Sequence, residues 1–174
     1  MVINFDGIRS KKDDLSVCIE NYSPDVIICT ETHLDSSILS SEIFPQSYSV
    51  IRKDRDNGRS KGGVCIAIRD DLIITDRSDL NSDCEAVWVT LKVKGVKDLT
   101  IGAFYRSQIF GDTTEYMDAL RQSITKIRRS SKGPIWLAGD FNFPTINWDN
   151  RTVYPAGRDN RTVNPAGRPL CHPF

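Results

Sequence analysis

Ile135-Trp136-Leu137-Ala138-Gly139-Asp140-Phe141-Asn142-Phe143-Pro144 is the stretch that decides the fold. Ile135 to Ala138 are apolar on consecutive positions, the pattern of a strand covered on both faces. The run ends at Gly139-Asp140, and Asn142 follows two residues on. A carboxylate at the exit of a buried strand stands where ligand sites form in α/β sheets. It can hold a hard divalent cation or orient a water, and an amide such as Asn142 can donate to a charged oxygen. The same residue types also build ordinary turns, so the segment gains weight only from its surroundings.

Upstream, Gly133-Pro134 stops a helical pattern. Its apolar stripe is Tyr116, Met117, Leu120, Ile124 and Ile127, and Asp112 with Glu115 forms a capping box at its start. Leu99–Tyr105 reads as a strand. So does Ala86–Val93, where Val87, Val89, Leu91 and Val93 alternate onto one side. Tyr48–Arg52 and Val64–Arg69 read as two strands joined by the polar loop Lys53–Gly63. Val26-Ile27-Ile28-Cys29 is another doubly covered run, and Glu31 follows it closely. Asp13–Tyr22 is helical, with Leu15, Cys18, Ile19 and Tyr22 on one face, and Pro24 breaks it. Val2–Phe5 is a first short strand that carries Asn4. Several neighbouring strands lack an intervening helix, which predicts a mixed rather than purely parallel α/β sheet. Asn4, Glu31 and Asp140 all fall at strand ends.

The chain has 174 residues, 39% of them hydrophobic, with 23 Lys+Arg against 23 Asp+Glu. That length suits one domain, and the apolar fraction supports a core. No run approaches the ~18 apolar residues of a membrane helix, and the N-terminus lacks a signal peptide's basic start and apolar stretch. The five cysteines include no C-x-x-C pair, and there are two histidines, a composition that argues against a Cys/His zinc site. Reduced thiols and no export signal predict an intracellular protein, nuclear or cytoplasmic and not secreted. The zero net charge conceals unlike parts. Residues 1–150 carry 19 basic and 22 acidic side chains, and residues 151–174 carry four Arg against one Asp.

The exact strings add more. Gly139-Asp140-Phe141-Asn142 resembles the signature of the endonuclease/exonuclease/phosphatase superfamily, the fold of DNase I and exonuclease III. Pro24-Asp25-Val-Ile-Ile-Cys-Thr-Glu31 resembles its metal-binding segment, Asn4 its first-strand Asn, and Leu99–Arg106 its strand ending in Tyr. Four motifs occur in the family's order. Thr30-Glu-Thr-His-Leu34, Arg52-Lys-Asp-Arg55, Lys61–Arg69 and Phe104-Tyr-Arg106 further resemble the endonuclease domain of non-LTR retrotransposons. The resemblance covers roughly residues 1–150. It implies a four-layer α/β sandwich and Mg²⁺- (or Mn²⁺-) dependent hydrolysis of DNA, with no small-molecule cofactor and no membrane. It also implies that the domain could be part of a longer reverse-transcriptase polyprotein. Carried over, Glu31 holds the metal with Asn4 beside it, Asp140 positions or activates water, Asn142 stabilises the charged transition state, and Tyr105 assists near the phosphate. Arg106, Arg52, Arg55 and Lys61 are the candidate DNA contacts. For the loop Arg52–Lys61, a solvated hairpin loop is an equal alternative. His33 is expected to be structural, and Trp88, Trp136 and Trp148 to pack in the core or its rim.

The resemblance also implies a later Ser-Asp-His segment. Here the match stops near Trp148, and a ten-residue stretch, Asp149–Arg158, is then repeated as Asp159–Arg168 with Tyr154 replaced by Asn164. His172 has no preceding Asp. These features divide the chain into a partial catalytic domain, 1–148, and a disordered tail, 149–174. The expected fold is a sandwich incomplete at its C-terminus, with uncovered apolar surface and weak or lost activity. Two further readings are a non-catalytic nucleic-acid-binding remnant, and a phosphatase or RNA-directed nuclease of the same superfamily.

Overall fold

The computed structural model describes residues 1–55, 61–107, 114–130, 133–143, 146–147 and 151–153. Strands β1 (Val2–Asn4), β2 (Val26–Thr30), β3 (Tyr48–Lys53) and β4 (Val64–Arg69) form one sheet in the order β1-β2-β4-β3. β1 and β2 run parallel and the other pairs antiparallel. The second sheet is β5 (Ile74–Asp76), β6 (Glu85–Leu91), β7 (Leu99–Tyr105) and β8 (Ile135–Asp140), in that order, with only β7 and β8 parallel. Helix α1 (Lys12–Tyr22) covers the first sheet and α2 (Thr114–Ser130) the second. The result is the expected four-layer α/β/β/α sandwich. A two-residue ladder follows, β9 (Ile146–Asn147) against β10 (Thr152–Val153). β10 lies in the first copy of the duplicated sequence, where no strand was expected.

The strand periodicity sorts each side chain into one of three apolar layers. Ile28, Val64, Ile66 and Ile68 of the first sheet meet Val87, Val89, Ile101 and Ala103 of the second. The odd-even alternates Ile27, Cys29, Cys65 and Ala67 face α1, where Leu15 is buried among them. Trp88 and Phe104 face α2, with Leu120 and Ile127. Each fully buried aliphatic side chain contributes roughly 1.5–3 kcal/mol, so the sandwich rests chiefly on these three layers. β2 and β4 are apolar on consecutive positions because both their faces are covered.

Some expectations change. Tyr22 is 56% exposed, although it lies in the predicted apolar stripe of α1. The helix ends there, at Ser23 in the left-handed region. β5 had no clear pattern, being three residues long and largely exposed. Trp88 is buried as expected, but Trp136 is 63% exposed. Its register partner Ile101 is a core residue of the inter-sheet layer. β8, however, is the last strand of its sheet among the described residues, so the indole lies at an open edge. Cys29, Cys65 and Cys84 are buried free thiols. The Asp112 cap, Trp148 and nearly all of the tail lie outside the described residues.

β7 and β8 approach closely at Gly139. Its φ is +137°, and an added Cβ would lie 1.9 Å from the Phe104 carbonyl oxygen. Gly139→Ala therefore combines backbone strain with a clash against main chain. It is expected to cost at least about 2 kcal/mol of stability by urea unfolding.

Candidate active site

The parallel pairs β1/β2 and β7/β8 both point their C-terminal ends to the same end of the sandwich, one pair on each sheet. In the register, Asn4 stands beside Thr30 and Tyr105 beside Asp140. Tyr105 belongs to the inter-sheet layer, and Asp140, two residues beyond Ala138, leaves β8 on that same face. The site is thus the open end of the cleft between the sheets, and side chains from both close on it.

At this end of the cleft one amide bridges carboxylates carried by the two sheets. Asn4 Nδ2 donates to Glu31 Oε1 at 2.8 Å and to Asp140 Oδ2 at 2.9 Å. Its Oδ1 accepts the backbone N–H of Asp6 at 3.2 Å. Residues 136 positions apart in sequence are therefore held within one hydrogen-bonded group. The other Asp140 oxygen, Oδ1, accepts the Asn142 backbone N–H at 3.1 Å. Burial, and then the nearby Glu31 charge, raise the Asp140 carboxyl above the usual range, while the two asparagines oppose that shift. Tyr105 is raised further, by burial and by the Glu31 carboxylate with which its phenol interacts. It stays protonated at neutral pH, as a hydrogen-bond donor.

The backbone around the site is unusual. Asp6, Glu31, His33 and Asn142 all have positive φ, between 44° and 53°. Non-glycine residues seldom adopt this region, and each costs of order 1 kcal/mol or more. Backbone bonds hold the segment in place: Gly7 N–H to Glu31 O at 2.8 Å, Ile8 N–H to Thr32 O at 3.0 Å and His33 N–H to Gly62 O at 2.8 Å. Thr32 is buried between Glu31 and His33.

Two residues absent from the sequence-based site join it here. Ligand atoms of Asp6, Glu31 and His33 all lie within 4.8 Å of one another. His33 Nε2 is 3.8 Å from Glu31 Oε2 and 3.9 Å from Asp6 Oδ1, beyond hydrogen-bond reach, and it is buried with no partner. Two carboxylates and an orphaned imidazole nitrogen fit a divalent cation. The expectation that His33 is structural took no account of this convergence. The sequence offered only two ligand-type residues two positions apart; the positive φ at both, which the sequence does not show, sets how they converge.

The expected DNA contacts are placed differently from one another. Lys61 is exposed. Arg106 is 5% exposed; its Nη1 donates to the Asn142 carbonyl at 2.6 Å, its guanidinium lies 4.7 Å from the Phe143 ring centre, and its own carbonyl accepts Asn142 Nδ2 at 2.7 Å. Arg106 therefore shapes the Asn142 loop. Arg55 is buried against Glu85 and lies over the Tyr105 ring. Arg52 donates to the Asp35 carbonyl at 2.8 Å and pairs with Asp54 at 3.0 Å. Tyr116 of α2 supports the same end of β7: its hydroxyl donates to the Tyr105 carbonyl at 2.6 Å and accepts the Glu85 N–H at 2.7 Å.

This architecture matches solved structures of one class. An AP endonuclease from Leishmania major superposes with a TM-score of 0.65 at 16% identity, over 83% of this chain and 55% of that one. The endonuclease domain of TRAS1, a telomere-specific non-LTR retrotransposon, gives 0.57 at 16%, over 81% and 59%. A 3′ phosphatase from Neisseria, bound to a product DNA hairpin, gives 0.57 at 14%, over 84% and 59%. No family model matches the sequence, and no curated protein matches it. The fold is shared with these endonucleases and this phosphatase, and it is the four-layer sandwich that the sequence resemblance implied. The chain spans between half and two thirds of the length of these neighbours. No helix among the described residues is long and apolar enough to cross a membrane.

Two outcomes follow from the hydrogen bonds. Tyr116→Phe leaves a buried N–H and a buried carbonyl unpaired and should cost about 1–3 kcal/mol by urea unfolding. Asn4→Ala removes a donor that favours the ionised Asp140, so the Asp140 pKa should rise further. Carboxyl ¹³C NMR titration of chelator-treated protein measures it.

Proposed function

We propose that this chain carries a divalent-metal-dependent phosphodiesterase site that cuts DNA endonucleolytically, in the manner of the retrotransposon-type domain it resembles. The observation that supports this most is the Asn4 clasp, which brings Glu31 and Asp140 from two sheets to one end of the cleft. Glu31 and Asp6 would hold Mg²⁺ or Mn²⁺, with Asn4 fixing the Glu31 carboxylate. When bound, the ion would neutralise phosphate charge and polarise the phosphorus–oxygen bonds.

The remaining work falls to the protein's own groups. Asp140, its carboxyl raised by burial, is suited to take a proton from an attacking water. Asn4 and the Asn142 N–H fix both its oxygens, so the lone pair offered to the water has a set direction. Tyr105, kept protonated, donates toward a phosphate oxygen or the leaving oxygen. The Asn142 amide lies beside Asp140, favours its charged form and can stabilise developing charge there. Lys61 offers an exposed cation to a phosphate, as positioning contacts do. Arg52, Arg55 and Arg106 hold the walls of the site.

A second reading, binding of nucleic acid without hydrolysis, is favoured by one sequence fact. Neither histidine follows an Asp, so the Ser-Asp-His pattern of the resembled family has no counterpart in these 174 residues. A supercoiled-plasmid nicking assay separates the two. The first expects nicking that requires Mg²⁺ or Mn²⁺, is abolished by chelation, and falls about 100-fold or more in Glu31→Ala and in Asp140→Ala. Tyr105→Phe should lower the rate about 10-fold. The second expects steeply salt-dependent binding and no metal-dependent nicking by the wild-type chain.

A further inference from the structure

We propose that His33 is a ligand of the metal at this site, and that its nitrogen makes the site prefer Mn²⁺ to Mg²⁺. The inference rests on the metal-dependent reading above and names the ion. Glu31 and His33 flank the buried Thr32, both in the left-handed region, and their ligand atoms converge with that of Asp6 within 4.8 Å. Asp6 reaches the same point from the turn after β1.

The imidazole is held where it is. The His33 N–H is bound to the Gly62 carbonyl. Beside the ring, a Cβ on Gly7 would lie 3.2 Å from Nδ1. Nε2 then points between the two carboxylates with no donor or acceptor in reach, although it is buried. A buried polar atom left unpaired is destabilising. Ligation would satisfy it. Donors that share a transition-metal ion at about 2.2 Å stand up to about 4.4 Å apart. The His33 separations of 3.8 and 3.9 Å are within that span.

The donor set decides the ion. Mg²⁺ favours oxygen ligands and retains its waters. Imidazole is a donor for first-row transition ions rather than for Mg²⁺, and Mn²⁺ is the ion of that row that also favours carboxylates. A site of two carboxylates and one imidazole therefore gains from His33 with Mn²⁺ and gains little with Mg²⁺.

The test uses the full chain stripped of metal with a chelator. Mn²⁺ binding is followed by electron paramagnetic resonance, with Mg²⁺ as competitor. Pulsed measurements report whether a ¹⁴N nucleus is bound to the manganese. The wild type should bind Mn²⁺ about 10-fold or more tightly than Mg²⁺ and show the imidazole ¹⁴N modulation. His33→Ala and His33→Gln should both lose the modulation and most of the preference, with Mg²⁺ affinity changed less than about threefold. His172→Ala should keep both. Two variants guard against one that folds poorly, and circular dichroism checks each. Bound Mn²⁺ without ¹⁴N modulation, or a preference unchanged in both His33 variants, overturns the proposal. If Glu31→Gln still abolishes binding in that case, the metal-dependent reading survives without His33. If neither ion binds the wild type, both fall together.

Discussion

The side-chain amide of Asn4 is the link on which the site depends. It donates one hydrogen to Glu31 and one to Asp140, and these carboxylates belong to different sheets. Two anionic groups brought together repel, and burial increases the cost. The amide between them offsets part of that cost and sets their spacing. A charged bridge would neutralise the site, and an apolar residue would leave both carboxylates unpaired. A neutral double donor holds them and leaves their charge available to a cation.

The rest of the sandwich serves this juxtaposition. The inter-sheet layer of Ile28, Ile66, Ile68, Val87, Val89 and Ile101 fixes the distance between the sheets. Gly139 lets β8 approach β7 closely enough to deliver Asp140 in register with Tyr105. Behind β7, Tyr116 ties the backbone of Tyr105 to that of Glu85, and Arg55 joins Glu85 to the Tyr105 ring. Four residues in the left-handed region surround the site. Such strain persists only where the surrounding bonds over-determine the backbone, and here the ladder from Phe5 through Ile8 to the Thr30–Thr32 carbonyls does so.

The open edge matters as well. β1 and β8 pack against each other, each the end strand of its sheet among the described residues. Trp136 faces solvent there. The site lies at the C-terminal ends of these same two strands. The chain spans only part of the neighbouring structures.

Read alone, the amino-acid order determined the elements and much of the site. Consecutive apolar runs marked β2 and β8, alternation marked β6, and the helical stripe marked α2, because periodicity follows from local backbone geometry. Asn4, Glu31, Tyr105 and Asp140 were legible as polar residues at strand ends and as parts of four ordered motifs. What only the tertiary structure decided was which charges meet. The sequence carries Arg52, Arg55 and Arg106 as plain cations, and folding commits each to a carbonyl, carboxylate or ring of the protein itself. It carries Asp6 and His33 without a partner in any motif, and the turn after β1 sets them against Glu31. Ion pairs and ligand sets depend on through-space distances of a few ångströms between residues far apart in the chain. Local patterning fixes each strand's faces, but the stacking of two sheets fixes those distances.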